Sequence, residues 1–379
     1  MNQRTAGYTL ITRRNWLALA VSALAGCGGG GAGLALSPGT GGTGIFAQGA
    51  IAGFGSVIVN GIKFDDVGAV VQIDGAAANS LDLRLGMVAS VQGQRSADTT
   101  LGIASQIEVW SIAQGWVTQV QAGQFVVAGM TIQTNSATLY DGIGSASGLA
   151  TGQPVTVWGL QAGADGSRWV ATRVAVLPNT VSKVVSTGLV TVMGAQRSLN
   201  GLSMSGAMAA GMTAGQLVRV KGVLSGANLQ VEESRVLQLP SDALSQHEVE
   251  MEGVVTQVLS PTRFMLGNIE VDSSAVSSPT TPITTGLRIE VRGTVQGQLL
   301  KATAVVFESE QKLDEAEIEG QIEQFTSLAN FVVRGQRCDA TGATIAKGKT
   351  GDLKVGVKVK VNGTKAGDVL LVTSLEIDD

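Results

Sequence analysis

One phrase, written five times, limits what this chain can become. A large apolar residue is followed by Gly three positions on, an apolar residue three after that, Val two further on and Gly two beyond. The copies are Leu83, Gly86, Ala89, Val91, Gly93, then Leu149, Gly152, Val155, Val157, Gly159, then Met212, Gly215, Val218, Val220, Gly222. The last two are Ile283, Gly286, Ile289, Val291, Gly293 and Leu353, Gly356, Val359, Val361, Gly363. Their first glycines lie 66, 63, 71 and 70 residues apart. A unit copied at that spacing is a small supersecondary module whose copies should fold alike.

Inside the phrase the pattern has period two, the mark of a half-buried strand. Ile289 and Val291 point one way, Glu290 and Arg292 the other, and Val359 and Val361 are set against Lys360 and Asn362. A helix would place Lys360 about 100° from Val361 and break the stripe. Gly226, Gly297 and Gly367 fall four residues after a closing glycine and read as hairpin turns. Return strands follow, as in 300–305 and 369–372. Gly115, Gly188, Gly253 and Gly320 each begin a strand-like run, with turn glycines after them at Gly129, Gly201, Gly267 and Gly335. Gly53 and Gly61 take these places in the first copy.

The chain therefore reads as all-β: five tandem small antiparallel β-barrel (OB-like) modules over residues 47–110, 111–178, 182–238, 248–308 and 315–377. Short strands packed this densely cannot stay flat with two open edges, so each module should curl and close. Modules this small bury little core alone, so neighbours should pack or share edges. One helical turn fits near Ala207–Thr213. Composition agrees, since 51 Gly against 7 Pro implies many tight turns. With 26 basic residues against 30 acidic ones and no basic stripe, nucleic acid is disfavoured as a partner.

The N-terminus carries a different message. Arg13-Arg14 form a positive stretch, Trp16 to Leu24 an apolar run too short to cross a membrane, and Leu24-Ala25-Gly26-Cys27 resembles a bacterial lipobox. That resemblance implies that residues 1–26 are a lipoprotein signal peptide and that Cys27 becomes the lipidated first residue. Thr12-Arg13-Arg14-Asn15-Trp16-Leu17 also resembles a twin-arginine export motif, and ordinary Sec export remains the alternative. The Gly-rich residues 27–46 read as a tether. Gly28 follows Cys27, and without Asp there the outer membrane, on its periplasmic or outer side, is favoured in a Gram-negative host.

The opening run Gly49-Ala50-Ile51-Ala52-Gly53-Phe54-Gly55-Ser56-Val57-Ile58-Val59-Asn60-Gly61, with Phe64-Asp65 after it, resembles an uncharacterised bacterial envelope family, domain of unknown function 5666. The resemblance covers most of the chain after the tether and is strongest in the first two modules. The family implies no activity, cofactor or site residue.

A catalytic constellation is not found. His247 is the only histidine and sits in a linker, where a surface position is expected. One histidine and one unlipidated cysteine make no zinc site. Gly142-Ile143-Gly144 is a weak echo of a nucleotide loop and reads as a turn. Glu248, Glu250 and Glu252 share one strand face, as do Glu315, Glu317 and Glu319. Such rows can serve acid–base work or weak cation binding, but a solvated face that blunts a sheet edge is the simpler reading. Cys338 falls in a slot held by Phe64, Ile132 and Met204 elsewhere, so it reads as a small buried hydrophobe, with a reactive thiol as the alternative.

The tryptophans are the best lead. Trp110, Trp116, Trp158 and Trp169 all lie in or beside the second module. Trp158 takes the place of Gln92, Lys221, Arg292 and Asn362, which is the solvent parity of the strand. Exposed there, it could stack on a sugar ring or anchor a partner; otherwise it packs against a neighbouring module with Trp116 or Trp169. The expected function is that of a lipid-anchored cell-envelope protein, a non-enzymatic binding or interaction platform without cofactor or metal. Its partners would be the membrane, through the lipid, and an envelope protein or polysaccharide. The alternatives are a structural spacer and a polysaccharide-binding module centred on Trp158, Trp116 and Trp169.

Overall fold

The computed structural model describes residues 43–178, 181–239, 247–276, 281–307 and 314–378, nearly all of them in β-strands and the tight turns between. Arg13-Arg14, Cys27 and most of the tether lie outside these residues. Segments are numbered here by the copy of the phrase that each contains.

Each copy takes one local geometry. Its first glycine ends a turn with positive φ: 77° at Gly86, 84° at Gly152, 79° at Gly215, 94° at Gly286 and 89° at Gly356. L side chains are strained in that region. The glycine N–H then donates to a carbonyl of the segment's opening strand, at Ile51, Val117, Val190, Val255 and Ile322, over 2.8–2.9 Å. Beyond the turn the alternating apolar pairs point inward and are wholly buried, from Ala89 and Val91 to Val359 and Val361. The closing glycine sits at a β-bulge in every copy. A Cβ on Gly93, Gly159, Gly222, Gly293 or Gly363 would stand 1.9–2.3 Å from a carbonyl oxygen of the partner strand. No other residue fits that approach, and the bulge adds the twist that bends the strand into a barrel.

Pairing closes the barrels. In the first segment Thr43–Phe54 pairs with Val57–Val59, which pairs with Ile62–Asp65. Ile62–Asp65 runs parallel to Leu101–Val109, which pairs with Val88–Arg95, and Val88–Arg95 returns to Thr43–Phe54. This is the strand order of an OB-like barrel with one parallel pair. The same circuit recurs from Ala113–Gln121 round to Pro154–Gln161, and from Glu315–Ser327 round to Lys358–Ala366. In the third segment the opening strand breaks at Val190 into Val184–Leu189 and Thr191–Met193, and Ala207–Ala210 supplies the helical turn. The first segment adds a hairpin, Val70–Ile73 with Ala76–Ala78.

Shared edges were foreseen, but not their partners. The opening strand begins at Thr43, inside the stretch read as tether, because Ile45 and Phe46 are buried. It pairs in parallel with the fourth segment, Ile45–Gln48 against Glu248–Met251, and with the fifth, Gly53 and Phe54 against Glu317 and Ile318. The chain thus folds back on itself. One hydrophobic core spans the first and fifth segments and takes in Trp158. A second is common to the second and third, and a third lies in the fourth with Phe46 and Leu239.

Candidate functional site

The three tryptophans singled out from the sequence do not share one surface. Trp158 does point outward from its own barrel, as its parity requires, yet it is only 6 % exposed and belongs to the hydrophobic core that spans the first and fifth segments. Its Nε1 has no hydrogen-bond partner among the described residues. Of the two readings left open for Trp158, packing stands and the exposed stacking platform does not. Trp169 is 5 % exposed in the core of the second and third segments, with Nε1 donating to the Gly166 carbonyl at 2.9 Å. Trp116, opposite Pro154, keeps 37 % of its surface open.

Trp110 is the residue the sequence reading passed over. It follows strand Leu101–Val109 and donates from Nε1 to Glu108 Oε2 at 3.1 Å. Two third-segment guanidiniums lie on its ring, Arg235 at 4.3 Å and Arg219 at 5.0 Å from the centroid. Arg219 is buried and held by Asp74 at 2.8 Å and by the Ser111 carbonyl at 2.7 Å. Arg235 reaches Glu108 Oε2 at 2.9 Å. These contacts tie the third segment to the first. The signal for them was the slightly basic stretch around Arg219 and Arg235.

Beside Trp110 a cavity of about 340 Å³ opens where the first four segments meet. Register explains its first wall. Gln48, Ser90 and Glu108 lie directly opposite one another across three strands, and Phe46 and Gln92 form the next row. Side chains so paired face the same side of the sheet. Ile112, Leu160, Gln161 and Trp169 come from the second segment. Arg235 to Leu239 close it from the third, and 251–254 with 266–269 from the fourth.

Every charge on this wall is already matched. Glu108 accepts from Gln106 on Oε1 and from Trp110 and Arg235 on Oε2. Glu252 accepts from Arg288 on Oε1 and from the Ala50 N–H on Oε2. The neutral groups are less committed. Gln161 is 7 % exposed and its Nε2 donates to the Gly163 carbonyl at 2.9 Å, but its Oε1 has no partner among the described residues. A Cβ at Gly267, also on the wall, would lie 3.8 Å from that oxygen.

The row of Glu248, Glu250 and Glu252 is not a solvated face. Glu250 is 0 % exposed and lies 2.8 Å from Arg95, which also meets Glu248 at 2.6 Å. Arg292 reaches Glu250 at 3.1 Å and Glu290 at 2.9 Å. Burial, and then the neighbouring Glu250, push the Glu290 carboxyl up to about 8. Glu315 does stay exposed, while Glu317 pairs with Lys63 at 2.8 Å and Glu319 with Lys358. His247 is half-buried against Gly44 rather than on the surface. Cys338 is buried, and burial raises its thiol to about 12, so it is a packed thiol and a poor nucleophile. Among the described residues no group of three or more His, Cys, Asp or Glu is gathered to hold a metal ion.

Residues 114–175 and 319–376 match the family model described as Domain of unknown function (DUF5666). Each matched stretch begins in an opening strand and ends in a return strand, so one DUF5666 match corresponds to one closed barrel. The sequence reading placed the resemblance most strongly in the first two copies; the match falls on the second and the fifth. No curated protein matches the chain.

Proposed function

We propose that this chain is an exported, lipid-anchored cell-envelope protein acting as a non-enzymatic binding or interaction platform. The observation that carries the reading is the opening strand. Directly behind the Gly-rich stretch, Thr43–Phe54 joins its own barrel to strands of the fourth and fifth segments. That joins several barrels into one braced body. A spacer is supported less, because returning the last segments to the first shortens the reach of the chain. A polysaccharide-binding role is a second reading, favoured by the cavity wall and by the open Trp116.

The anchor is tested by feeding cells an alkyne-tagged fatty acid and isolating the protein from the envelope. Labelling of the wild type, its loss in Cys27→Ala, and precursor accumulation under globomycin are expected. An unlabelled protein in the soluble fraction would overturn the anchored reading.

A further inference from the structure

The structure assigns the cavity between the first four segments to an uncharged sugar residue, either free or as one unit of a glycan. This deepens the platform reading and rests on it. The volume, about 340 Å³, is within the range of small-molecule sites. Both carboxylate oxygens of Glu108 and of Glu252 already accept hydrogen bonds, and Arg235 is paired with Glu108 through Nη1. A cation would find no free carboxylate oxygen there, and an anion would have to share Arg235 with Glu108, so the desolvation of a charged ligand would be poorly compensated.

The polar groups that remain are neutral. Gln161 Oε1 lacks a donor among the described residues. A buried acceptor in that state is costly, and a slight turn of the Gln161 side chain toward the cavity it lines would let a ligand hydroxyl satisfy it. Gln48, Ser90 and Gln92 stand half-buried on the facing wall in two adjacent cross-strand rows, where amides and a hydroxyl can both give and accept hydrogen bonds. Between these walls the floor is apolar, with Ile112 and Leu160 buried. A pyranose ring combines these needs, with C–H groups on one face, hydroxyls at its edge and no charge. A purely apolar molecule would leave Gln161 unsatisfied.

The test uses the full mature chain and saturation-transfer NMR with titration calorimetry. The neutral probes are glucose, galactose, N-acetylglucosamine, cellohexaose and chitohexaose; the charged ones are glucuronate and glucosamine. At least one neutral probe should bind, and Gln161→Leu should weaken it about tenfold, the loss of one hydrogen bond. Gln48→Ala with Gln92→Ala, on the half-buried opposite wall, should weaken it independently. A hexamer binding more tightly than its monomer would identify a glycan, and equal binding a free sugar. No binding by any neutral probe, equal binding of the charged ones, or indifference to both variants would overturn the assignment, as would occupation by 2-naphthol alone. Fatty-acid labelling of the same preparation is scored separately. Failed sugar binding with the label present removes the sugar, whereas a missing label removes the anchored platform.

Discussion

Two joints hold the barrels together by opposite means. Between the first and fourth segments, four residues of parallel ladder lie beside buried charge, with Arg95 and Glu250 both out of water. Between the second and third, backbone pairing is reduced to Val185 opposite Gln114, and the join is a common hydrophobic core fastened mostly by neutral groups, with buried Arg219 donating to the Ser111 carbonyl as a charged contact. There Thr187 Oγ1 donates to the Ile112 carbonyl at 2.7 Å and Ser186 Oγ to the Ala128 carbonyl at 2.9 Å. Within the third segment Asn200 Nδ2 donates to the Thr187 carbonyl at 2.9 Å. Apolar contact tolerates small losses. A buried ion network does not, because removing one member strands another.

The sharpest way to break this contrast is Glu250→Ala. It leaves Arg95 and Arg292 without their buried partner and should destabilise by about 3–5 kcal/mol. Urea unfolding measures the total. Amide hydrogen exchange should show the loss in 248–307 and in strand Thr43–Phe54, with 184–236 still protected. Uniform loss across both joints would show that they are one cooperative structure and erase the distinction.

The charged joint should also answer to pH. Glu290 faces Glu250 and Arg292, with Arg95 and Glu248 beyond, and its carboxyl holds its proton up to about 8 when folded against 4.5 as a free side chain. The folded state therefore binds that proton more tightly than the unfolded one. The stability this contributes is full below about pH 4.5 and is lost as pH rises through about 8, by a few kcal/mol at most. Denaturation midpoints should fall between pH 6 and pH 9 in the wild type, and this slope should flatten in Glu290→Gln. A slope unchanged in Glu290→Gln would place the titrating group elsewhere.

These joints also mark what the sequence could tell. The Gly–Val–Gly phrase carried the strand, the bulge and the inward valines, because those are decided within one barrel by alternation and by what fits at Gly93 or Gly222. Parity separates the inside of a barrel from its outside. It does not say whether the outside is covered. Glu250 was read as solvent-facing and Trp158 was left between exposure and packing for that reason; the non-adjacent first segment buries Glu250, and Trp158 joins the core of the first and fifth segments. The cavity was unreadable on the same ground, since its walls come from four segments and meet only after the chain turns back. Trp116 and Trp169 were grouped with Trp158 because all three lie in the second copy, but the barrel wall leaves one partly in water and sends the other to the core.

In the neutral joint, Thr187→Val keeps the shape and removes the hydroxyl. The Ile112 carbonyl, which accepts that bond, loses its donor, and the expected cost is about 1–2 kcal/mol. The change should not depend on pH between 6 and 9, since no ionisable group is touched. A pH-dependent effect of Thr187→Val would mean that a group titrating in this range is coupled to the joint, where Arg219 is the cross-strand partner of Thr187.

The smallest effect should come from a charge pair at the edge of that same neutral joint. Lys183 and Glu232 meet at 2.8 Å with both side chains largely in solvent. Water and salt screen such a pair, and holding two long side chains together costs entropy. The structural use of this residue is its backbone, whose carbonyl accepts from Gln114 Nε2 at 3.1 Å, and that contact survives side-chain truncation. Lys183→Ala should therefore leave the urea midpoint where it was, at low and at physiological salt. If it lowered the midpoint as far as Thr187→Val does, burial would not be what separates strong charge from weak charge in this fold. The difference between the joints would then have to be sought in their strand pairing instead.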